Sequence, residues 1–265
     1  MDLRFEAIPA AAYSSRSQIA RVATQAWVRR ELPCLACSAH PLRATPENTR
    51  SRDFVCAGCG EPYELKSTAG RFGRWVPDGA YATFLETIRL GRTPNLLLLE
   101  YDRDDRSVRE LRAVHRTLIS PLALAARRPL LPPARRAGWQ GCSLDLGLVP
   151  PSGRVPIVTA REPLPWPEVT AAWSAYAFMV RLREESRGWL RDVLAVIERL
   201  PRRPFRLEEA YAFEEELAAL HPGNRNVRPK IRQQLQRLVL EGRLQRLRPG
   251  LYAPGEGVPA EAHAE

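Results

Sequence analysis

The sequence lacks any long uninterrupted hydrophobic segment. Its 265 residues are 45% hydrophobic, yet no run approaches the roughly 18 apolar residues of a membrane-spanning helix. The amino terminus, MDLRFEAIPA, also has no basic segment followed by an apolar one, which a secretion leader would show. We therefore expect a soluble, cytoplasmic protein with enough apolar residues for two folded domains.

Lysine is almost absent from a strongly basic chain. Of the 40 lysine and arginine residues, only Lys66 and Lys230 are lysines. Arginine carries a rigid, planar guanidinium, whereas lysine carries a compact and mobile ammonium. A lysine that is retained where nearly every other basic position holds arginine indicates a site that needs the smaller group.

Histidines are few, and the fifth cysteine stands alone. His40, His115, His221 and His263 match neither a catalytic triad nor a metal-ligand spacing, so we expect structural or surface roles. No histidine lies near Cys142 to activate it, and we expect it to be a small buried hydrophobic residue.

The chain has a large excess of positive charge. Its 40 basic and 30 acidic residues give a net charge of +10 and a pI near 9.9. Clustered cations gain affinity for nucleic acids by releasing counterions from phosphates, so the charge favours an acidic polymer as partner. A general bias toward arginine would give the same composition, so charge alone does not identify the polymer.

Four of the five cysteines form two Cys-x-x-Cys pairs. They are Cys34, Cys37, Cys56 and Cys59. This pattern is typical of zinc ribbons, in which two thiolate pairs complete a tetrahedral site around one ion. Because sulfur would take all four positions, the zinc would be structural and not catalytic. The lack of a leader disfavours disulfides, and two matched pairs disfavour a redox switch.

An acid and a Glu-x-Lys flank the second cysteine pair. In DFVCAGCGEPYELKS, Asp53 precedes one short predicted strand, and Glu64 and Lys66 lie on the next. Residues two apart in a strand share a face, so Glu64 and Lys66 point the same way and Leu65 points into the core. Asp53 and Glu64 can then hold a magnesium ion from adjacent strands, with Lys66 beside the attacking water. A surface salt bridge on a hairpin is the alternative for these residues.

The surrounding segments predict an α/β domain. Residues 16–32 have apolar side chains at helical spacing, and residues 78–91 do so after an aspartate that we expect to be the N-cap. Residues 94–101 are typical of a buried strand, and residues 107–119 and 153–159 are predicted strands that complete the sheet.

A second domain is predicted after the proline-rich residues 161–169. Residues 186–201, 206–222 and 226–242 are predicted helices, and residues 243–254 are a predicted hairpin. This is the winged-helix pattern, whose third helix commonly enters the major groove. Amides and cations on or before that helix suit adenine edges and phosphates: Asn224, Arg225, Asn226, Arg228, Lys230, Arg232 and Gln233. The alternative is the solvated face of a protein-interaction helix.

The order of these motifs resembles known nucleases. Asp53 with Glu64-Leu65-Lys66 on this element order resembles the PD-(D/E)xK nuclease superfamily. A closer resemblance covers roughly residues 1–253. The cysteine pairs, DGAYAT, PPARRAGWQGC, SRGW and KIRQQLQ, in that order, resemble the DpnI-like family of methyl-directed (type IIM) restriction endonucleases.

The resemblance implies a fold and an activity. The fold would be an α/β PD-(D/E)xK core with a four-cysteine zinc clip over residues 1–182 and a winged-helix domain over residues 183–254. We expect the small, acidic tail over residues 255–265 to be disordered. The activity would be cleavage of double-stranded DNA at sites containing 6-methyladenine, most simply GATC, by a monomer that leaves 5′-phosphate ends.

The resemblance also implies roles for single residues. Asp53, Glu64 and the Leu65 carbonyl would bind Mg²⁺, and Lys66 would orient or activate water. The proline that usually precedes the acid is Arg52 here, which could bind a phosphate instead.

The loop ARRAGWQGC, residues 134–142, is the predicted sensor of the methyl group. Glycines on both sides of Trp139 let the backbone approach a groove, and an indole edge gives a methyl group an apolar surface. Trp139 can equally be a core aromatic residue. Arg135 and Arg136 are predicted phosphate contacts.

Two other functions stay open. A zinc-containing winged-helix DNA-binding regulator without nuclease activity would not need Asp53, Glu64 and Lys66 to converge. A repair or recombination nuclease would share the core but would recognise the shape of its substrate.

Overall fold

The computed structural model describes residues 1–6, 15–46, 49, 52–201 and 204–255. The helices are α1 (Arg16–Glu31), α2 (Tyr81–Arg89), α3 (Trp166–Ser174), α4 (Glu184–Ile197), α5 (Leu207–Tyr211), α6 (Glu214–Leu220) and α7 (Val227–Leu240). The strands are β1 (Arg43–Ala44), β2 (Phe54–Val55), β3 (Pro62–Thr68), β4 (Trp75–Ala80), β5 (Asn95–Asp102), β6 (Ser107–Val114), β7 (Leu124–Ala126), β8 (Gly141–Asp145), β9 (Arg154–Thr159), β10 (Glu162–Pro163), β11 (Phe205–Arg206), β12 (Leu244–Arg248) and β13 (Leu251–Pro254).

A seven-stranded sheet forms the centre of the amino-terminal domain. Its strand order is β1-β2-β3-β5-β6-β9-β10, and β3 and β5 run parallel while the other neighbours are antiparallel. The leucine run of β5 is buried on both faces, which is typical of a central strand. Leu97 and Leu99 lie in one apolar core, and Leu96 and Leu98 lie in the other.

The first core lies between the sheet and helices α1 and α3. Trp27 of α1 and Trp173 of α3 are 1% and 3% exposed and belong to the same apolar cluster as Leu97. The prediction of an apolar helix face within residues 16–32 is therefore confirmed for Trp27. Two buried cysteines, Cys34 and Cys56, join this cluster, so one side of the predicted zinc clip packs in the core while Cys37 and Cys59 are exposed.

The second core continues from the amino-terminal domain into the carboxy-terminal one. Behind Leu96 and Leu98 lie α2 and a small sheet in the order β4-β8-β7. The same cluster includes Trp189 of α4 and Ile231 of α7, which are 1% and 0% exposed. Because apolar burial is continuous across them, the two domains are packed against each other.

A buried polar contact also joins the domains. The Arg243 guanidinium donates to Tyr176 Oη at 3.0 Å and to Ser152 Oγ at 3.2 Å, and it lies over the Tyr176 ring. Glu198, the C-cap of α4, accepts hydrogen bonds from the backbone N–H and the hydroxyl of Ser152. The start of the wing is thus tied to the end of the main sheet.

The carboxy-terminal domain has the predicted winged-helix pattern with one correction. Helix α4, strand β11 and helices α5 to α7 precede the hairpin β12–β13, which forms the wing, and the three strands pair in the order β11-β13-β12. The single helix predicted over residues 206–222 is wrong, because α5 ends before Ala212 and α6 begins at Glu214. Phe213 between them leaves the helical conformation, packs against the second core and lies under Arg199.

A second correction concerns the segment DGAYAT. The sequence predicts Asp78 as a helix cap, but α2 begins at Tyr81 and its N-cap, Ala80, makes no side-chain hydrogen bond. Asp78 instead lies in β4, opposite Cys142 of β8. Pairing with a strand more than 60 residues away extends the backbone there, and local sequence does not reveal it.

The α/β core with a four-cysteine cluster and a carboxy-terminal winged helix confirms the expected fold class. The buried position of Cys142, which is 0% exposed, is also confirmed. Among the described residues, no helix is long and apolar enough to cross a membrane. His263 and the predicted disordered tail from residue 256 onward lie outside the described residues.

Candidate active site and DNA-binding surface

Asp53 is fixed at the edge of the main sheet. Of the residues of β3, only Pro62 and Tyr63 pair with β2, so the next backbone N–H on that edge of β3 needs another acceptor. Asp53 Oδ2 supplies it and accepts a hydrogen bond from the Leu65 N–H at 2.8 Å. Gln25 of α1 donates to Asp53 Oδ1 at 3.1 Å. The carboxylate is therefore oriented by one strand and one helix.

Glu64 and Lys66 project from β3 toward the second core. They pair with Leu96 and Leu98 of the parallel strand β5, whose side chains belong to that core. Leu65 between them packs against the first core, as predicted. Lys66 Nζ lies 2.6 Å from Glu64 Oε1, and the two side chains are only 16% and 12% exposed. This burial contradicts the alternative of a solvated salt bridge.

Asp78 is a third carboxylate after Asp53 and Glu64, and like Glu64 it contacts Lys66. We call Glu64, Lys66 and Asp78 together the acid cluster. Asp78 of β4 is 3% exposed in its side chain, and its Oδ1 lies 2.8 Å from Lys66 Nζ. Lys66 is thus held between two buried acids from two different sheets. The sequence pattern indicates a helix cap for Asp78 and does not place it in the site.

Burial and charge set the protonation of this cluster. Burial raises the pKa of Glu64 to about 7, although the Lys66 ammonium opposes that change. Burial alone would lower the pKa of Lys66, but Glu64 and Asp78 outweigh it and raise the pKa to about 12. Lys66 therefore remains an ammonium at neutral pH, as a donor of N–H bonds.

The acid cluster leaves two oxygen atoms available for a cation. Glu64 Oε2 and Asp78 Oδ2 are buried and have no hydrogen-bond partner among the described residues. A buried carboxylate oxygen without a partner is costly, and a hard divalent cation is one means of satisfying it. Glu64 is one of the predicted ligands and feels the charge of Asp53, so these oxygen donors fit Mg²⁺ in their chemistry.

The four paired cysteines form a compact cluster beside Asp53. All four Sγ atoms lie within 4.8 Å of one another, with Cys34 and Cys59 at 3.6 Å and Cys37 and Cys56 at 3.5 Å. Tetrahedral Zn–S bonds of about 2.3 Å place sulfurs about 3.8 Å apart. The cluster therefore fits one zinc ion.

Groups around the cysteine cluster orient it. Tyr63 Oη lies 3.2 Å from Cys34 Sγ and accepts the Leu35 N–H at 3.1 Å. The Gly58 N–H donates to Cys56 Sγ at 3.3 Å. Because Tyr63 precedes Glu64 in β3, the cysteine cluster and the acid cluster are built on the same strand.

The predicted methyl-sensing loop lies beside the acid cluster. The Gln140 carbonyl accepts the Tyr81 N–H at 3.1 Å, so the loop is anchored just after β4. Trp139 is half-buried, and its Cη2 lies 2.9 Å from where a Cβ on Gly141 would be. Gly141 is thus required for the ring to lie flat on β8. Arg135 and Arg136 are exposed, as phosphate contacts require.

The polar residues predicted on α7 lie largely on its exposed face. Ile231 and Leu235 face the core, whereas Arg225, Arg232 and Gln233 are exposed. Several of the predicted contacts already have hydrogen-bond partners. The Arg232 guanidinium donates to Tyr211 Oη at 3.0 Å, and Gln233 Oε1 accepts from Gln234 at 3.3 Å. Asn224 Oδ1 accepts the Asn226 N–H at 2.7 Å, Lys230 is half-buried, and Arg228 Nε lies 2.7 Å from Glu214 Oε2.

Two further groups of residues were not predicted from sequence. Gln25 of α1 orients Asp53 through a hydrogen bond. The only sequence signal for this role was the position of Gln25 in the predicted helix, next to its apolar face. On the wing, Arg246 and Arg248 are exposed and add positive charge near the face of α7. The only sequence signal for a role of these two arginines was their position in the predicted hairpin.

An α/β domain with a buried acid–lysine cluster, joined to a winged helix with an exposed cationic face, defines a DNA-binding protein with a candidate hydrolytic site. Comparison with known families agrees with this class. Residues 1–182 match the Dam-replacing family (DpnI), and residues 185–253 match the Dam-replacing HTH domain (DpnI_C). The chain therefore belongs to the DpnI family. Membership implies methyl-dependent restriction endonuclease activity and confirms the resemblance stated above.

Proposed function

We propose that the protein is a Mg²⁺-dependent, methyl-directed type II endodeoxyribonuclease. It hydrolyses double-stranded DNA at GATC sites that carry 6-methyladenine and leaves 5′-phosphate ends. The observation that carries the proposal is the acid cluster, in which Lys66 lies between two buried carboxylates with free oxygens, next to the oriented Asp53. A DNA-binding regulator would have no need to bury these charges together.

The catalytic roles follow from the contacts. Asp53, Glu64 and the Leu65 carbonyl would hold the ion, which would neutralise charge on the scissile phosphate and make a bound water more acidic. Lys66, held by Glu64 and Asp78, donates N–H bonds to the attacking water or to the phosphate and orients them. Asp78 holds the ammonium from the side opposite Glu64.

The bond that breaks is the one between phosphorus and the 3′ oxygen. Attack by water in line with that bond places the phosphate on the 5′ end of the downstream fragment. Oriented donors that meet developing charge on the phosphate would contribute the largest single share of rate acceleration. In this site the donor is the Lys66 ammonium, which two carboxylates fix in place.

Recognition is assigned to two surfaces. The α7 face reads the major groove with Arg225, Arg232 and Gln233, and the loop around Trp139 contacts the methyl group beside the acid cluster. A buried methyl adds only about 0.8 kcal/mol of transfer free energy, so one contact discriminates weakly. Both adenines of the palindrome are therefore read, by a monomer with a nuclease domain over residues 1–182 and a winged helix over residues 183–254.

A plasmid prepared with and without adenine methylation at GATC tests the proposal. With Mg²⁺, the wild-type chain should cut the methylated plasmid alone, and Lys66→Ala should cut neither. Ligation or labelling of the product ends reports whether the phosphate is on the 5′ side. No cleavage of either plasmid, with DNA binding retained, would favour the regulator.

A hemimethylated duplex tests the two-reader part separately. Because both methyl groups contribute, a hemimethylated site should be cut more slowly than a fully methylated one. Equal rates on the two duplexes would contradict the assignment of both surfaces to methyl recognition while leaving the nuclease intact.

A further inference from the structure

The loop between β7 and β8, residues 127–140, presents apolar side chains to solvent. Leu130 is 41% exposed and Leu131 is 77% exposed. Neither residue belongs to an apolar core among the described residues. An exposed pair of leucines at the tip of a loop has no stabilising role within the folded chain, which indicates a contact with a partner.

The loop holds this pair in a defined conformation. The Leu130 N–H donates to the Trp139 carbonyl at 2.9 Å, and the Gly138 N–H donates back to the Leu130 carbonyl at 2.8 Å. Gly138 closes the loop with a φ of +84°, which glycine adopts without strain. The Ala134 N–H donates to the Leu131 carbonyl at 3.1 Å. Backbone hydrogen bonds, rather than packing of its side chain, therefore hold Leu131 in its exposed position.

The charge around the leucines identifies the partner. Residues 127–141 contain four arginines and no acidic residue. Arg127, Arg128, Arg135 and Arg136 are all exposed, and within the described part of the chain their guanidiniums make no ion pair. A partner with a dense negative surface and an apolar interior fits both features, and duplex DNA with its base stack is such a partner.

The position of the loop places it on the DNA that the active site would hold. The loop ends in β8, whose Cys142 pairs with Asp78, the residue that contacts Lys66. The carboxy-terminal end of the loop therefore adjoins the acid cluster, and a phosphate bound there would lie beside this end of the loop.

We propose that residues 127–140 form a DNA-deforming wedge, in which Leu131 inserts between two base pairs beside the cleavage site and the four arginines contact the flanking phosphates. This proposal rests on the proposed function. Apolar side chains that enter a base step unstack it and bend the duplex, and the bend brings more phosphates to a cationic surface. The loop would thus shape the DNA that Trp139 reads.

The test measures base unstacking without cleavage. The full-length Lys66→Met chain is bound to a set of methylated GATC duplexes, each with one 2-aminopurine at a different position in or beside the site. Fluorescence should rise several-fold at one position when the wedge unstacks it. Adding Leu131→Ala should abolish most of that rise and weaken binding about five- to tenfold, whereas adding Leu131→Met should retain both.

Leu90→Ala is the matched control, because Leu90 at the end of α2 is also exposed, at 56%, and lies outside both proposed surfaces. It should change neither the fluorescence nor the affinity. A fluorescence rise that Leu131→Ala leaves intact would overturn the wedge, as would normal binding with no rise at any position. Failure of the wild-type chain to cut methylated DNA would instead contradict the proposed function.

Discussion

The acid cluster and the exposed face of α7 hold their charges in opposite ways. In the acid cluster, Lys66 is 16% exposed and is paired with two carboxylates before any substrate is present. At the recognition face, Arg225 just before α7 and Gln233 within it are exposed. Under the proposed function, the catalytic geometry is preorganised at the cost of desolvation, while the recognition geometry is completed when DNA binds.

The difference extends to the supports of the two regions. The acid cluster depends on contacts between strands that are far apart in sequence, together with the cysteine cluster on the same strand. The α7 face depends on one amphipathic helix and its packing against the second core. We expect changes in the first region to abolish or slow cleavage, and changes in the second to weaken binding in graded steps.

Disruption of the cysteine cluster, the candidate zinc site, should have the largest effect. Cys34 and Cys56 are buried in the first core, and Cys56 directly follows the strand that starts after Asp53. Removal of zinc by a chelator, or Cys34→Ser, should therefore lower the melting temperature and abolish cleavage together. Metal analysis and thermal unfolding measure this. A variant without zinc that melts and cuts normally would contradict a structural role.

Asp78→Asn should reduce cleavage by about tenfold or more with little change in DNA binding. The amide preserves the shape of the side chain but removes one of the two negative charges that hold the Lys66 ammonium. Single-turnover cleavage and binding in Ca²⁺ separate the two effects. Asp145→Asn is a comparison, because Asp145 is also buried in the small sheet but pairs with Arg74. Equal losses of cleavage in both variants would indicate a general effect on the sheet.

Arg225→Ala should weaken DNA binding about five- to tenfold and leave the single-turnover rate at saturation unchanged. Arg225 is exposed at the entry to α7 and is free to contact a phosphate. The slope of log affinity against log salt should become shallower by about one. An unchanged salt dependence would show that Arg225 does not contact the phosphate backbone.

Arg228→Ala should have the smallest effect, no more than about a twofold loss of affinity. Its guanidinium is already paired with Glu214 and lies over the Tyr211 ring, so binding DNA would require those contacts to be exchanged. Titration of a labelled duplex with Arg225→Ala and Arg228→Ala side by side measures the contrast. A larger loss for Arg228→Ala would mean that the helix reorganises on DNA.

Much of the fold could be predicted from sequence because its signals are local. The apolar run of β5, the spacing of the cysteine pairs and the amphipathic pattern of α7 each depend on neighbouring residues. Asp78 and the break at Phe213 could not be predicted in the same way. Both depend on tertiary contacts, one with β8 and the other with the second core and Arg199.

The candidate site likewise combines features that local sequence predicts with features that depend on tertiary contacts. Glu64 and Lys66 share a face because side chains alternate along a strand, so their proximity follows from spacing alone. The orientation of Asp53 by Gln25 and the Leu65 N–H depends on where β2 stops pairing with β3. No pattern in the sequence predicts that point. The exposed leucines of residues 127–140 are visible in the sequence, but only the structure shows that they remain uncovered.

The central claim is that the acid cluster performs chemistry while α7 performs recognition. The two lysines of the chain test it most directly, since Lys66 lies in one region and Lys230 in the other. Lys66→Met and Lys230→Met would be compared on a methylated GATC duplex, for binding in Ca²⁺ and for single-turnover cleavage in Mg²⁺. Lys66→Met should bind normally and lose about a hundredfold or more in cleavage rate, whereas Lys230→Met should bind more weakly but cut at the normal rate once saturated. Cleavage that survives Lys66→Met would contradict the account.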